Sequence, residues 1–490
     1  MSYPVHTKAI ICYIEAHIKD AKFNYEELEK RIGFSTAHIR DFFRQDTGYS
    51  LAKYVRMRKV KCSAIELINT NKTILEIAYS YGFSNPETYT RAFQRLTGMT
   101  PSTFREQKLI VGKEELATGV YGIGILKEQN VHAKSVLHKD DSAILYGVPK
   151  VAYGVYGGNT PYPICLKACS EYLGENVTYH FTMATSVAAF RLVWNNEFWD
   201  LSNVDIFHAL QETNDVYRLG AEALGREFSF LERKKHTSKK EFISFIRKHI
   251  DEGYPCIALG VIGPPEPCII TGYRDAGETL LGWNFFQNDP EFAANFETDE
   301  SGYFISRNWW NNTDTQAVMC MGAVVKEKLT TGSIIENAIA ALDGRVDRCY
   351  AKGISAYDAW KKALQKEHGC AAEDNYSFLY EKLLCHNDAM NCLTDGRRCA
   401  AAFFQEQAKC SPEHGDEYRK IAKKFNRCVK AVETMRALYG KEADTDGMLC
   451  AFTDSDIRKK TCELIACARK ADTEALAMMK HVVSKRKPCQ

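Results

Sequence analysis

Cysteine is the residue type with the widest chemical latitude in this chain, with 18 among 490 residues. Eleven lie between Cys349 and Cys489. Cys385, Cys392 and Cys399 recur every seven residues and fall near one helical face. Successive members stand two turns apart, about 10.5 Å, too far for one helix to close a tetrahedral metal site. No Cys-x-x-Cys pair occurs, which argues against a zinc ribbon, so neither a metal nor a cofactor is expected. The opening MSYPVHTKAIICYIEAHIKD has no basic start, continuous apolar core and cleavage site. Reduced, mostly buried thiols in a cytoplasmic protein are therefore expected, with a redox or metal sensor as the sharper alternative.

Charge is the second chemical signal. Residues 1–110 carry 17 Lys+Arg against 11 Asp+Glu, a balance of +6. Residues 111–330 carry 20 against 28, or −8, and residues 331–490 carry 27 against 23, or +4. A basic first segment beside an acidic middle points to a polyanion met only by the first part. No run of about 18 apolar residues exists, so no membrane span is expected.

The elements that must position these charges are helices. Asn24 with Glu27, Thr73 with Glu76 and Ser84 with Glu87 each form a cap-and-third-residue pair. Ser35 and Ser50 are further caps, Gly48 and Gly98 fit helix ends, and Thr100-Pro101 fits a helix start. These signals predict helices near 6–20, 25–32, 36–46, 51–69, 74–80, 85–96 and 101–107. An internal echo runs through them: Ile32-Gly33-Phe34-Ser35 returns as Tyr81-Gly82-Phe83-Ser84 after 49 residues. Phe43 and Thr47-Gly48 return as Phe93 and Thr97-Gly98 after 50. Each unit is a helix, a glycine turn and a second helix, the layout of a helix-turn-helix. The long helix bearing Lys53, Arg56, Arg58, Lys59 and Lys61 would hold the two apart, so that both enter successive major grooves roughly 34 Å apart.

Gly48-Tyr49-Ser50-Leu51, Tyr54, Arg56 and Arg58, then Ile77-Ala78, Gly82-Phe83, Phe93, Thr97-Gly98, Pro101 and Phe104-Arg105, together resemble the AraC/XylS family DNA-binding domain over nearly all of residues 6–107. The resemblance implies that the second helix of each unit reads bases through Thr36, Ala37, Arg40 and Asp41, and through Pro86, Glu87, Thr90 and Arg91. Arg40 and Arg91 suit guanine, while Arg44 and Arg95 suit phosphates. Asp41 stands where some family members are basic, and Pro86 lies early in its helix, so the operator sequence stays open.

After a linker over 108–118 the pattern changes. Strands are predicted over 120–126, 143–148, 151–155, 256–262, 268–273, 279–283 and 317–325, with helices over 163–174, 185–194, 204–224 and 237–252. Strand–loop–strand from Pro255 to Tyr273, preceded by a helix opening at Pro161-Tyr162-Pro163-Ile164-Cys165, loosely resembles papain-like folds such as the butirosin-biosynthesis acyltransferase N-terminal domain and bacteriocin-processing peptidases. That resemblance places Cys165 as the nucleophile at a helix start. Glu266-Pro267-Cys268 occupies the strand entrance where the family carries histidine, so no base is expected and the fold reads as a degenerate enzyme kept as a pocket. Phe190, Trp194, Trp199, Trp283, Phe285, Trp309 and Trp310 make the segment aromatic. With the acidic balance, they suggest an apolar or cationic organic ligand. The candidate ligand-binding set is Cys165, Phe190, Trp194, Glu266, Cys268, Tyr273, Trp283 and Phe285.

Helical periodicity then runs over 333–367, 374–410, 415–440 and 454–485. The expected architecture is multidomain: an all-α double helix-turn-helix domain (1–107), an α/β domain of papain-like type (119–330), and an α-helical region (331–490) that packs on it or dimerises. The expected function is a non-enzymatic, one-component bacterial transcription regulator. Its candidate partners are double-stranded operator DNA, a small organic effector, RNA polymerase and a second copy of the chain. A cysteine-dependent hydrolase or acyltransferase fused to a DNA-binding module, or a thiol-sensing regulator, are the alternatives.

Overall fold

The computed structural model describes residues 25–47, 50–69, 72–97, 100–106, 136–139, 141–203, 214–288, 302–325, 327–347, 349–366, 376–440 and 444–486, with scattered positions over 7–19, 206–212 and 297–299. The predicted helix over 6–20 falls largely outside these residues, and the linker over 108–118 and the strand over 120–126 fall wholly outside them. Beyond the scattered helical positions at Thr7, Ile10, Tyr13 and Ile14, the described helices of the first segment are α1 (Tyr25–Ile32), α2 (Thr36–Thr47), α3 (Leu51–Asn69), α4 (Ile74–Ser80), α5 (Pro86–Thr97) and α6 (Pro101–Glu106).

Two separate apolar cores lie in this segment. Leu28, Ile39, Phe43, Leu51 and Tyr54 belong to the first, and Val60, Leu67, Ile77, Tyr89 and Phe93 to the second. The first half of α3 therefore packs one unit and its second half packs the other. Gly33 and Gly82 both adopt positive φ, 78° and 68°, the left-handed turn that a Cβ would strain.

Beyond residue 135, β1 (Val136–Lys139), β2 (Ser142–Leu145), β4 (Arg226–Glu232), β5 (Cys256–Leu259), β6 (Pro267–Arg274), β7 (Thr279–Trp283), β8 (Phe304–Ser306) and β9 (Ala317–Val324) form one sheet. β5 lies between β6 and β9, with Cys256 opposite both Ile270 and Cys320. Every described pairing is antiparallel, so this part is α+β rather than the α/β expected. Helices α7 (Pro161–Tyr172), α8 (Tyr179–Thr185), α9 (Asp215–Ala223) and α10 (Lys239–Asp251) accompany it.

Four expected elements differ, the first being the helix predicted over 204–224, which runs only over Asp215–Ala223. Residues 151–155 are turn and coil rather than strand. The helix predicted over 185–194 ends at Thr185, and Val193–Asn195 forms β3 instead. The helix predicted over 333–367 is two, α11 (Thr331–Leu342) and α12 (Ile354–Gln365), separated by the hairpin β10 (Arg345–Asp347) and β11 (Tyr350–Lys352). β11 pairs with β3, Ala351 opposite Trp194. Backbone donors in a three-residue strand are satisfied by a distant partner, which local periodicity does not register.

The last helices are α13 (Tyr376–Cys410), α14 (Gly415–Leu438), α15 (Thr445–Thr453) and α16 (Ser455–Arg486). They share a core with the sheet: Phe403, Phe404, Phe425 and Met479 belong to the same apolar cluster as Ile164, Phe190 and Ile269. α13 comes close to the chain at Ala188-Ala189, since a Cβ at Gly396 would lie 2.9 Å from the Ala189 carbonyl oxygen. Arg397, the next residue, is fully buried and donates from Nε and Nη2 to Asp472 at 2.8 and 2.7 Å. Its Nη1 donates to the carbonyls of Ala189 and Arg191, each at 2.9 Å, and Tyr357 donates to the same Asp472 oxygen at 2.7 Å. Burial works against the Arg397 charge, yet Asp472 beside it holds the guanidinium above its ordinary pKa.

Removing one member of such a pair strands the other charge. Asp472→Asn is expected to destabilise the fold by about 3–5 kcal/mol, read as a lower urea midpoint of the α+β and helical part.

Candidate nucleic-acid interface and ligand cavity

Helix starts fix the recognition faces. Thr73 and Glu76 form a reciprocal capping box at α4, with Thr73 N–H donating to Glu76 at 2.7 Å and Glu76 N–H to Thr73 Oγ1 at 3.2 Å. At α5 the cap is Asn85 rather than the expected Ser84, because Thr88 N–H donates to Asn85 Oδ1 at 2.8 Å. Pro86 is then the first helical residue, where its missing N–H costs nothing, so it does not disturb the helix. In the first unit Glu29 of α1 accepts from Thr36 N–H at the start of α2.

Ile39 and Phe43 face inward from α2, and Tyr89 and Phe93 do so from α5. Tyr89 also donates to buried Ser63 of α3 at 3.0 Å. The opposite faces are open. Ala37, Arg40, Asp41 and Arg44 are exposed and Thr36 is half-buried; Glu87 and Arg91 are exposed and Pro86 and Thr90 half-buried. The Arg95 side chain lies outside the described residues. His38, Thr88 and Gln94 are also exposed on these faces and were not singled out in the sequence, where small polar residues carry little signal of their own.

The buried residues set the register between the units at 50, Ile39 matching Tyr89 and Phe43 matching Phe93. Arg40 therefore matches Thr90, and Asp41 matches Arg91. The two faces present their arginines one position apart, a rotation of about 100° around a helix of 3.6 residues per turn. Arg40 also leans on the Tyr25 ring, 5.0 Å from its centroid. On α3, Lys53 and Arg56 are exposed while Lys59 is buried, so the basic rod is one stripe and not a continuous surface.

Most of the expected ligand set proves to be core. Cys165 is fully buried one turn into α7, and burial first, then neighbouring Cys169, Cys268 and Glu266, push its thiol pKa well up. Burial likewise pushes Cys268 up to about 12. Burial and the raised pKa both disfavour the thiolate, the reactive form. Phe190 packs against Phe404 and Phe425, and Trp194 stacks on Trp360 at 5.8 Å in a different cluster. Trp283 donates its indole N–H to the Val148 carbonyl at 2.8 Å, and Tyr273 donates to Asp251 at 2.7 Å. Phe285 lies behind Tyr153, ring centroids 5.0 Å apart.

Glu266 is the member of that set that lines a cavity, of about 570 Å³, between the sheet side and α13–α14. The lining is charged and polar rather than aromatic, with Arg191, Asp388, Asp395, Arg398 and Arg436 beside Glu266. Asp395 holds the start of α7 in place: one of its oxygens accepts from Asn159 N–H at 3.0 Å, Thr160 Oγ1 at 2.9 Å and Tyr179 at 2.8 Å. Among the described residues no cluster of three or more His, Cys, Asp or Glu is arranged to hold a metal, and no helix is long and apolar enough to cross a membrane.

Two helix-turn-helix units on one rod, each with an exposed second helix, define a DNA-binding regulator. A family profile described as a helix-turn-helix domain matches residues 28–107. The chain is 32% identical over 107 residues to the regulatory protein SoxS of Escherichia coli K12, covering 99% of that protein and 22% of this one. It is 35% identical over 102 residues to the transposon Tn10 TetD protein of Escherichia coli, covering 73% of that protein and 21% of this chain. The right origin-binding protein of Escherichia coli K12 is 31% identical over 96 residues, 20% of this chain and a third (33%) of that protein's length. A solved AraC-type regulator from Chromobacterium violaceum aligns at 21% identity with a TM-score of 0.21, over 22% of this chain and 95% of that one. This chain belongs to the AraC family of DNA-binding transcription regulators.

Two outcomes test these placements. Thr73→Ala is expected to cost about 1 kcal/mol in the second unit, seen as a lower melting midpoint with weakened DNA binding. A thiol reagent applied to the folded chain is expected to modify exposed Cys410, Cys450 and Cys467 while leaving Cys165 untouched until denaturant is added. Early modification of Cys165, mapped by mass spectrometry, would count against its burial.

Proposed function

We propose that the chain is a one-component regulator in which α2 and α5 read two adjacent DNA sites and the region beyond residue 135 senses a small molecule. The observation that carries the DNA half is the pair of exposed arginine-bearing faces on helices whose buried residues share one register. Bidentate arginine selects guanine in the major groove. With Arg40 aligned to Thr90 and Arg91 to Asp41, the two units read different base steps, so the operator is two unlike subsites rather than a repeat. Asp41 and Glu87 fit cytosine amino groups, and Arg44 and Arg95 fit phosphates.

The sensing half rests on the 570 Å³ cavity, a size suited to a small organic ligand. Ligand binding would bias the population of DNA-competent arrangements of the chain. RNA polymerase and a second copy of the chain are proposed partners on the strength of the family alone.

On DNA selected by this protein from a random pool, Arg40→Ala and Arg91→Ala are each expected to cost about 1–3 kcal/mol and to relax specificity at different base pairs. Fluorescence anisotropy against single-substituted duplexes measures this. Relaxation at the same position, or undiminished specificity in the double variant, would remove these helices as readers.

A further inference from the structure

Three arginines are buried to 97% or more: Arg191, Arg226 and Arg397, with 3%, 1% and 0% exposure. Two of them have carboxylates. Arg397 meets Asp472 at 2.7 Å and Arg226 meets Glu175 at 3.2 Å. Arg191 differs. Its Nη1 and Nη2 donate to the carbonyls of Ala188 and Asn203 at 3.0 and 2.8 Å, and its Nε, like that of Arg226, meets no acceptor among the described residues. Among the described residues no carboxylate lies within 4 Å of it. It is also the one of the three that lines the cavity.

A charge removed from water is tolerated when an opposite charge offsets it. The Arg191 backbone is itself held fast, its carbonyl accepting from Arg397 at 2.9 Å and from the Cys392 thiol at 3.4 Å. Arg191 is thus held fast beside the cavity, with no carboxylate of the described residues paired to it. The other lining cations are engaged, Arg398 with Glu433 at 2.6 Å and Arg436 with Asn391 at 2.7 Å. Glu266, Asp388 and Asp395 line the same space. Three guanidinium groups against three carboxylates leave the lining formally neutral, which disfavours a dianion such as a phosphate ester and equally a simple cation.

We propose that this cavity binds a small zwitterion of amino-acid type, its carboxylate paired with Arg191 and its ammonium facing Glu266 and Asp388. The proposal rests on the sensing role proposed above and replaces the aromatic, cation-selective pocket expected from the sequence. A carboxylate is chosen over other anions because a single planar guanidinium fork matches it in bidentate geometry.

The test uses the full chain, with calorimetry and thermal shift against the proteinogenic L-amino acids and their dipeptides, and against the corresponding amides and N-acetyl derivatives. At least one free zwitterion is expected to bind, with its amide and N-acetyl forms weaker by roughly tenfold or more. Arg191→Lys keeps the charge but loses the fork, and is expected to weaken the zwitterion by a similar factor. Should that variant fail to fold, Glu266→Gln serves: it is expected to weaken the free amino acid while leaving the N-acetyl derivative unchanged. The site is overturned if no zwitterion binds up to about 10 mM, if amides bind as well as acids, or if a phosphorylated compound binds better. DNA affinity is measured separately. A zwitterion that binds without altering it supports the site and overturns the sensing role, whereas a neutral compound that alters it without any zwitterion binding overturns the site and spares the sensing role.

Discussion

Arg397 and Asp472 sit at the junction of the sheet and the helical layer, both without solvent contact. One guanidinium spends its donors on α16, through Asp472, and on the segment entering β3, through the Ala189 and Arg191 carbonyls. Charges so placed are intolerant of slippage, because a small displacement leaves a desolvated ion without its partner. The pair thereby sets how α13 lies against the segment before β3, a close approach that Gly396 makes sterically open. The cavity wall follows from it, since the same carbonyl that Arg397 holds belongs to Arg191.

The DNA-binding segment obeys a different constraint. Its two small cores are each formed by three or four helices, and they meet through α3, which contributes Leu51 and Tyr54 to one and Val60 and Leu67 to the other. A helix shared between two cores transmits their relative rotation, so the pitch of α3 governs where the exposed faces of α2 and α5 point. Phe43 and Phe93 lock those faces from behind. Arg40 and Arg91 are both exposed, so the units can differ at these positions, although Arg40 also rests on the Tyr25 ring.

The helix starts, glycine turns and apolar spacing of residues 25–106 were legible because each depends on residues within a turn or two of itself. The capping pair Thr73–Glu76 and the turn glycines Gly33 and Gly82 are local devices. Asn85 took the cap from Ser84 through a one-residue choice between two good candidates, which propensity does not separate. The short strands β3, β10 and β11 were illegible for the opposite reason. Val193–Asn195 acquires its strand conformation from Tyr350–Lys352, more than 150 residues away in the chain, so no window of local sequence holds the signal.

The same division applies to function. The amino-acid sequence by itself determined that this is a DNA-binding regulator, because a duplicated motif with caps, turns and aromatic core residues at fixed offsets is written in short-range spacing. Tertiary structure alone decided which side chains meet the cavity. Cys165, Phe190 and Trp283 looked chemical by type, yet burial and internal partners make them core. Arg191, unremarked in the sequence, became the distinctive group because its neighbours among the described residues offer carbonyls and no carboxylate. Desolvation and the absence of a counter-charge are properties of surroundings assembled from distant segments, and a residue's identity does not contain them.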